Sequence, residues 1–124
     1  MSREVIEIKG TTRNSWKFNP INMPIPLEYN RVLSLNDWEL LKRGLKPKVM
    51  EDKWFIFLEE NTMYFARSWT GYCIFSIEVK VLTDETVLLH KAIMESDKSI
   101  YRGDIPDSIL DDLISMVIRY NNKR

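Results

Sequence analysis

Within five residues, Arg67-Ser68-Trp69-Thr70-Gly71, the chain combines a forked cation, two hydroxyls, a flat aromatic ring and a backbone without a side chain. Those groups suit ligand binding. Arginine holds a phosphate or carboxylate through two parallel hydrogen bonds, tryptophan stacks on a base or a sugar, and glycine lets an anion approach the main chain. Tyr72 adds a second ring. The same residues also have a structural reading, in which Trp69 is a core aromatic, Arg67 pairs with Glu59 or Glu60 across a hairpin, and Gly71 supplies the positive φ of a turn. Arg67, Ser68, Trp69, Thr70, Gly71 and Tyr72 are the candidate ligand-binding residues, and no catalytic residue, metal ligand or cofactor is assigned.

Other chemistry-bearing residues are scattered. Glu59 and Glu60 precede a turn, where one could act as acid or base beside Arg67 or simply be solvated. Lys98, Tyr101 and Arg102 could form a second anion patch before the last helix, but Asp104 at that helix start already occupies the position an anion would take. His90 and Cys73 are the only soft ligands, so a zinc site of the usual residue types cannot be assembled within the chain. Cys73 beside an apolar strand reads as a buried, inert thiol unless Arg67 reaches it. Gly-rich phosphate loops, CxxC and HExxH metal motifs and the Gly-x-Ser-x-Gly elbow are all absent from the sequence.

The elements that must carry these residues can be read from the apolar pattern. Val5 to Ile8 has the look of a short edge strand. Pro20, Pro24 and Pro26 make residues 11–30 an extended arm, which Trp16, Phe18, Ile21, Met23, Ile25 and Leu27 anchor to the domain. Ser34 with Asp37 three residues on starts a short helix carrying Trp38 and Leu41, ending near Gly44. Lys53 to Glu59 reads as an inner strand, Glu60 to Thr62 as a turn, and Met63 to Trp69 as the return strand. Tyr72 to Leu82 and Thr86 to Met94 continue a β meander over residues 53–94. A final helix over residues 105–120, opened by Asp104, Pro106 and Asp107, repeats apolar residues from Ile109 to Ile118 at helical spacing, with Asn121 to Arg124 expected to fray. The expected fold class is α+β: an antiparallel β meander packed by a C-terminal amphipathic helix, with a short helix in the N-terminal half and a Pro-rich arm.

A chain of 124 residues suits one domain, residues 1–124. Eighteen basic against eighteen acidic residues leave no net charge, so no global field draws the chain to nucleic acid or an anionic membrane, and any anion site must be local. Near-neutral charge lowers repulsion between copies and makes a homo-oligomer reasonable. One cysteine, no apolar leader and no apolar run near the roughly 20 residues of a membrane span fit a cytoplasmic protein.

The segment Lys53-Trp54-Phe55-Ile56-Phe57 through Tyr64-Phe65-Ala66-Arg67-Ser68-Trp69-Thr70-Gly71-Tyr72-Cys73-Ile74 resembles a bacterial and phage domain. In that domain a Trp-Phe strand leads through a turn to Arg-Ser-Trp-Thr-Gly, followed by Cys and a β-branched residue. The domain occurs alone or beside macrodomain-type proteins of ADP-ribose metabolism. The resemblance implies a module for a phosphorylated nucleotide of the ADP-ribose type, with a pyrophosphate for Arg67 and an adenine for Trp69. Ala66 stands where relatives often carry a His before the Arg, which lowers the enzyme reading and favours binding. The expectation is therefore a non-catalytic binding module with a small-molecule nucleotide ligand, the alternatives being a protein-interaction partner such as an immunity or accessory subunit, and a small nucleotide hydrolase using Glu59 or Glu60.

Overall fold

The computed structural model describes residues 10–49, 52–101 and 108–123. In chain order the elements are β1 (Pro24–Pro26), β2 (Arg31–Ser34), α1 (Leu35–Leu41), β3 (Trp54–Glu59), β4 (Thr62–Arg67), β5 (Cys73–Val81), β6 (Thr86–Glu95) and α2 (Ser108–Asn122). The expected strand at Val5 to Ile8 and the helix start at Asp104 to Asp107 lie outside the described residues.

β3, β4, β5 and β6 form the antiparallel meander, in spatial order β1-β6-β5-β4-β3, with β2 also pairing β6. Aromatic and β-branched residues dominate β3 and β4, where they suit a pleated surface covered on both faces. Trp54 pairs with Arg67 at one end of that hairpin and Glu59 with Thr62 at the other. The uneven alternation along β6 has a cause: Lys91 has φ 53 and the register with β5 shifts there. This bulge inserts an extra residue. Val87 and Leu89 before it, and Ala92 and Met94 after it, consequently pack into one core.

That core lies between the sheet and the two helices, where Leu110, Leu113, Ile114 and Val117 of α2 meet Ile56, Phe65, Phe75 and Leu89. α1 begins where its sequence signals: the Ser34 hydroxyl accepts from the Asp37 backbone N–H at 3.1 Å. α2 runs past the expected end at residue 120. Asn121 is buried and its side chain donates to the carbonyls of Leu40 (2.9 Å) and Gly44 (3.0 Å). Those carbonyls lie at the C-terminal end of α1 and just past it, so Asn121 holds one helix to the other instead of fraying.

The arm covers the opposite face. Trp16, Phe18 and Ile21 pack on Phe55, Phe57, Ala66 and Cys73. Further on, Pro24–Pro26 joins the sheet as an edge strand on β6, which suits proline because an edge leaves one side of the backbone unpaired. The arm is latched by Glu95, whose buried carboxylate accepts from the backbone N–H groups of Asn22 (2.7 Å), Met23 (2.8 Å) and Asp97 (3.1 Å). Arg31–Ser34, unrecognised as a strand in the sequence, continues the same edge from Leu89 to Thr86. Arg31 donates to Asp111 of α2 at 3.0 Å and to the Ser115 hydroxyl at 2.9 Å, and the Tyr29 hydroxyl also donates to Asp111. Burial and that carboxylate raise the Tyr29 phenol well above its ordinary value.

Candidate functional site

The Arg67 to Tyr72 segment is a tight connection from β4 to β5. The Gly71 N–H donates to the Arg67 carbonyl at 2.8 Å and the Arg67 N–H to the Tyr72 carbonyl at 2.9 Å, closing the loop on itself. Gly71 has φ +79, a conformation that L side chains rarely adopt. It has a second duty. A Cβ there would stand 2.9 Å from the carbonyl oxygen of Lys17 and 3.0 Å from its carbon, so the arm lies directly against the turn.

Four hydrogen bonds fix that contact. The Asn19 N–H donates to the Gly71 carbonyl (2.7 Å), the Cys73 N–H to the Asn19 carbonyl (2.9 Å), the Asn19 amide to the Thr70 carbonyl (3.1 Å), and the Trp16 indole to the Ser68 carbonyl (2.7 Å). Ser68 is itself turned inward. It is 2% exposed, its hydroxyl donates to the Asp52 carbonyl, and its N–H donates to the Lys53 carbonyl at 2.9 Å. The Thr70 hydroxyl oxygen accepts from the Tyr72 N–H at 3.1 Å. Ser68 and Gly71 thus shape the turn, while Arg67, Trp69 and Tyr72 carry the groups it displays.

Trp69 is 64% exposed and Tyr72 37% exposed. Trp69 is therefore no core aromatic. Nor does Arg67 pair across the hairpin with Glu59, which sits at the far end of the register. Its guanidinium lies over the Trp54 ring, 5.2 Å from the centroid, and Trp54 stacks in turn on Phe75 at 6.4 Å. Among the described residues, no carboxylate forms an ion pair with Arg67. A guanidinium over an aromatic ring and without a carboxylate partner still has N–H groups to offer an anion. This support from Trp54 was not among the sequence expectations, although the strand register that creates it follows from the hairpin.

Glu59 is committed elsewhere. Arg13 donates to it through Nε at 2.7 Å and through a second nitrogen at 3.1 Å, and the same guanidinium covers the rings of Phe18, Phe57 and Tyr64 at 4.8, 5.7 and 5.8 Å. Hydrogen bonding to Arg13 holds the Glu59 carboxyl below its usual range. That is the wrong direction for a general acid. Glu60 occupies the hairpin turn with φ 58 and is exposed. Cys73 is buried on the arm side of the sheet, where loss of solvent pushes its thiol up to about 12, so it is not activated as a nucleophile. His90 is half-buried on β6 opposite Glu78. Among the described residues no group of three His, Cys, Asp or Glu is placed to hold a metal ion, and no helix is long and apolar enough to cross a membrane.

The second anion patch is only partly described, since Arg102 lies outside the described residues. Tyr101 packs edge-on against Phe75 at 6.4 Å, and Lys98 is exposed. A cleft of about 480 Å³ lies elsewhere, against the C-terminal end of α1, lined by Thr11, Thr12, Glu39, Lys42 and Arg43 among others. It shares no residue with the Arg67 turn, and its Lys42 is already paired with Glu39 at 2.8 Å.

Comparison of the chain with protein-family models, with curated proteins and with solved structures finds no match.

Proposed function

We propose that this protein is a non-catalytic binding module whose Arg67–Trp69–Tyr72 surface takes a phosphorylated nucleotide of the ADP-ribose type. One observation carries the reading: the Arg67 guanidinium sits over the Trp54 ring, 5.2 Å from its centroid, without a carboxylate ion-pair partner among the described residues, in a turn whose Trp69 is 64% exposed. A positioned guanidinium and an exposed ring are groups that suit a phosphate and a base. The ADP-ribose class is supported by the resemblance of the Arg-Ser-Trp-Thr-Gly run. Calorimetry against ADP-ribose, cyclic ADP-ribose isomers and cyclic oligonucleotides tests the proposal. Heat is expected for at least one of them with wild type and none with Arg67→Ala; no heat and no thermal shift across the panel refutes it.

A protein partner is the second reading, favoured by the open placement of Trp69. Trp, Tyr and Arg are the side chains that most often dominate protein interfaces. Under this reading a Trp69→Ala variant fails to recover a partner in a pull-down that wild type succeeds in, while neither protein binds a nucleotide.

A further inference from the structure

We propose that the cleft beside the outer edge of β3 takes an extended, acidic segment of a partner polypeptide, which pairs its backbone with Leu58 and sets a carboxylate against Arg43. The cleft shares no residue with the Arg67 turn, so this inference stands independently of the nucleotide reading.

β3 is the last strand on its side of the sheet. In an antiparallel ladder alternate residues direct their N–H and C=O toward the neighbouring strand and away from it. The Lys53 carbonyl accepts from the Ser68 N–H at 2.9 Å in the β3–β4 register, so Trp54, Ile56 and Leu58 face outward. Ile56 shows the same phase, because it exchanges two hydrogen bonds of 2.8 and 2.9 Å with Leu45 on the outer side. Continued by two residues, that antiparallel bridge would bring Arg43 opposite Leu58. The chain does not continue it. Arg43 lies in the turn after α1, where its N–H donates to the Leu40 carbonyl (3.3 Å) and its carbonyl accepts from the Thr11 N–H (2.9 Å). Among the described residues, the outward N–H and C=O of Leu58 have no hydrogen-bond partner.

The cleft opens at this place. Leu58 lines it together with Thr11, Thr12, Glu39, Lys42 and Arg43, and its volume of about 480 Å³ falls within the range of ligand pockets, roughly 300–1,000 Å³. An unfilled ladder position is complementary to one amino-acid residue in extended form, whose C=O and N–H match those of Leu58; this is strand addition at a sheet edge. Charge sets the class of segment. Two cations and one carboxylate line the cleft, and Lys42 pairs with Glu39 at 2.8 Å. Arg43 is left exposed and without an ion pair among the described residues, so a carboxylate on the bound segment has a guanidinium to meet.

The test titrates ¹⁵N-labelled protein with the blocked peptide acetyl-Thr-Val-Glu-Val-Thr-amide, with the same peptide carrying Gln in place of Glu, and with the first peptide methylated on every backbone nitrogen. The Leu58 amide signal is expected to move with the first two and its hydrogen exchange to slow, whereas the methylated peptide, which cannot donate to the Leu58 carbonyl, does neither. The Glu peptide should bind about threefold more tightly than the Gln peptide, the scale of one exposed ion pair, and Arg43→Gln should bring that ratio to about one. A Leu58 signal that stays still at millimolar peptide overturns the proposal. So does a Leu58 amide already protected from exchange before peptide is added, since the chain itself then fills the position. Binding of the methylated peptide at equal strength overturns the backbone pairing, and a preference for Glu that is absent in wild type, or that persists in Arg43→Gln, overturns the role of Arg43.

Discussion

Replacing Gly71 with alanine tests whether the arm and the turn are one unit. The methyl group brings two separate costs. The first is backbone conformation: at φ +79 an L residue loses about 1–2 kcal/mol relative to glycine. The second is contact. The new Cβ would meet the carbonyl oxygen and carbon of Lys17 at 2.9 and 3.0 Å, and these are main-chain atoms held near the turn by the 2.7 Å bonds of Asn19 and Trp16. Relieving the contact means moving the arm and weakening one or two hydrogen bonds, each worth about 1 kcal/mol net. The sum is about 2–4 kcal/mol, which leaves a domain of this size folded but lowers its melting temperature by roughly 8–16 °C. Urea unfolding followed by tryptophan fluorescence reads the effect as a lower midpoint at unchanged slope. Gly71→Asn separates the two costs, because asparagine tolerates positive φ and still collides; it should recover no more than about 1 kcal/mol. A Gly71→Ala protein within about 0.5 kcal/mol of wild type would refute the close seating of Lys17 on the turn.

Two further outcomes follow from buried and charged contacts. Asn121→Ala removes the donor to the Leu40 and Gly44 carbonyls and should cost about 1–2 kcal/mol, because two buried hydrogen bonds are lost while the Leu40 carbonyl retains its bond from the Arg43 N–H; differential scanning calorimetry measures it, and an unchanged melting temperature would show that water replaces the amide without loss. The Arg13–Glu59 pair predicts a pH dependence. Glu59 has a folded pKa below its unfolded one, so its contribution is fully present above the ordinary glutamate range and is lost as pH falls through the folded value. Stability curves of wild type and Glu59→Gln should therefore converge as pH drops from about 6 to about 3, and a constant gap across that range would show that the pair does not act through charge.

Local signals made most of the architecture legible. The aromatic run of β3, the polar Glu60-Asn61 turn and the helical spacing of Leu110, Leu113, Ile114 and Val117 are short-range patterns, and each produces the element expected of it. What the sequence did not disclose depends on partners far along the chain. Arg31–Ser34 has only two apolar residues and is a strand because β6 needs an edge partner beyond its bulge. Asn121 looked like the start of a fraying end, and only the arrival of α1 makes it a cap. At the candidate site, the positive φ of Gly71 was foreseeable, since glycine is the usual residue for it. The inward turn of Ser68 was not, because its acceptor is the carbonyl of Asp52. Whether Trp69 faced core or solvent could not be read from its type, as a large aromatic at a strand end serves either role. Lys17 carried no signal at all, because its place beside Gly71 is created by the packing of Trp16 and Phe18 on the far face of the sheet.

The four tryptophans of the chain provide the most direct test of the binding surface, because Trp54 and Trp69 belong to it, Trp16 adjoins it through Ser68, and Trp38 sits on α1. Titrating ADP-ribose into ¹⁵N-labelled protein and following the four indole N–H signals locates the ligand on the molecule. The Trp69 signal should move progressively with ligand, Trp54 and Trp16 by less, and Trp38 not at all, with the movement abolished in Arg67→Ala. Four stationary signals, or movement confined to Trp38, would contradict a nucleotide site at the Arg67 turn.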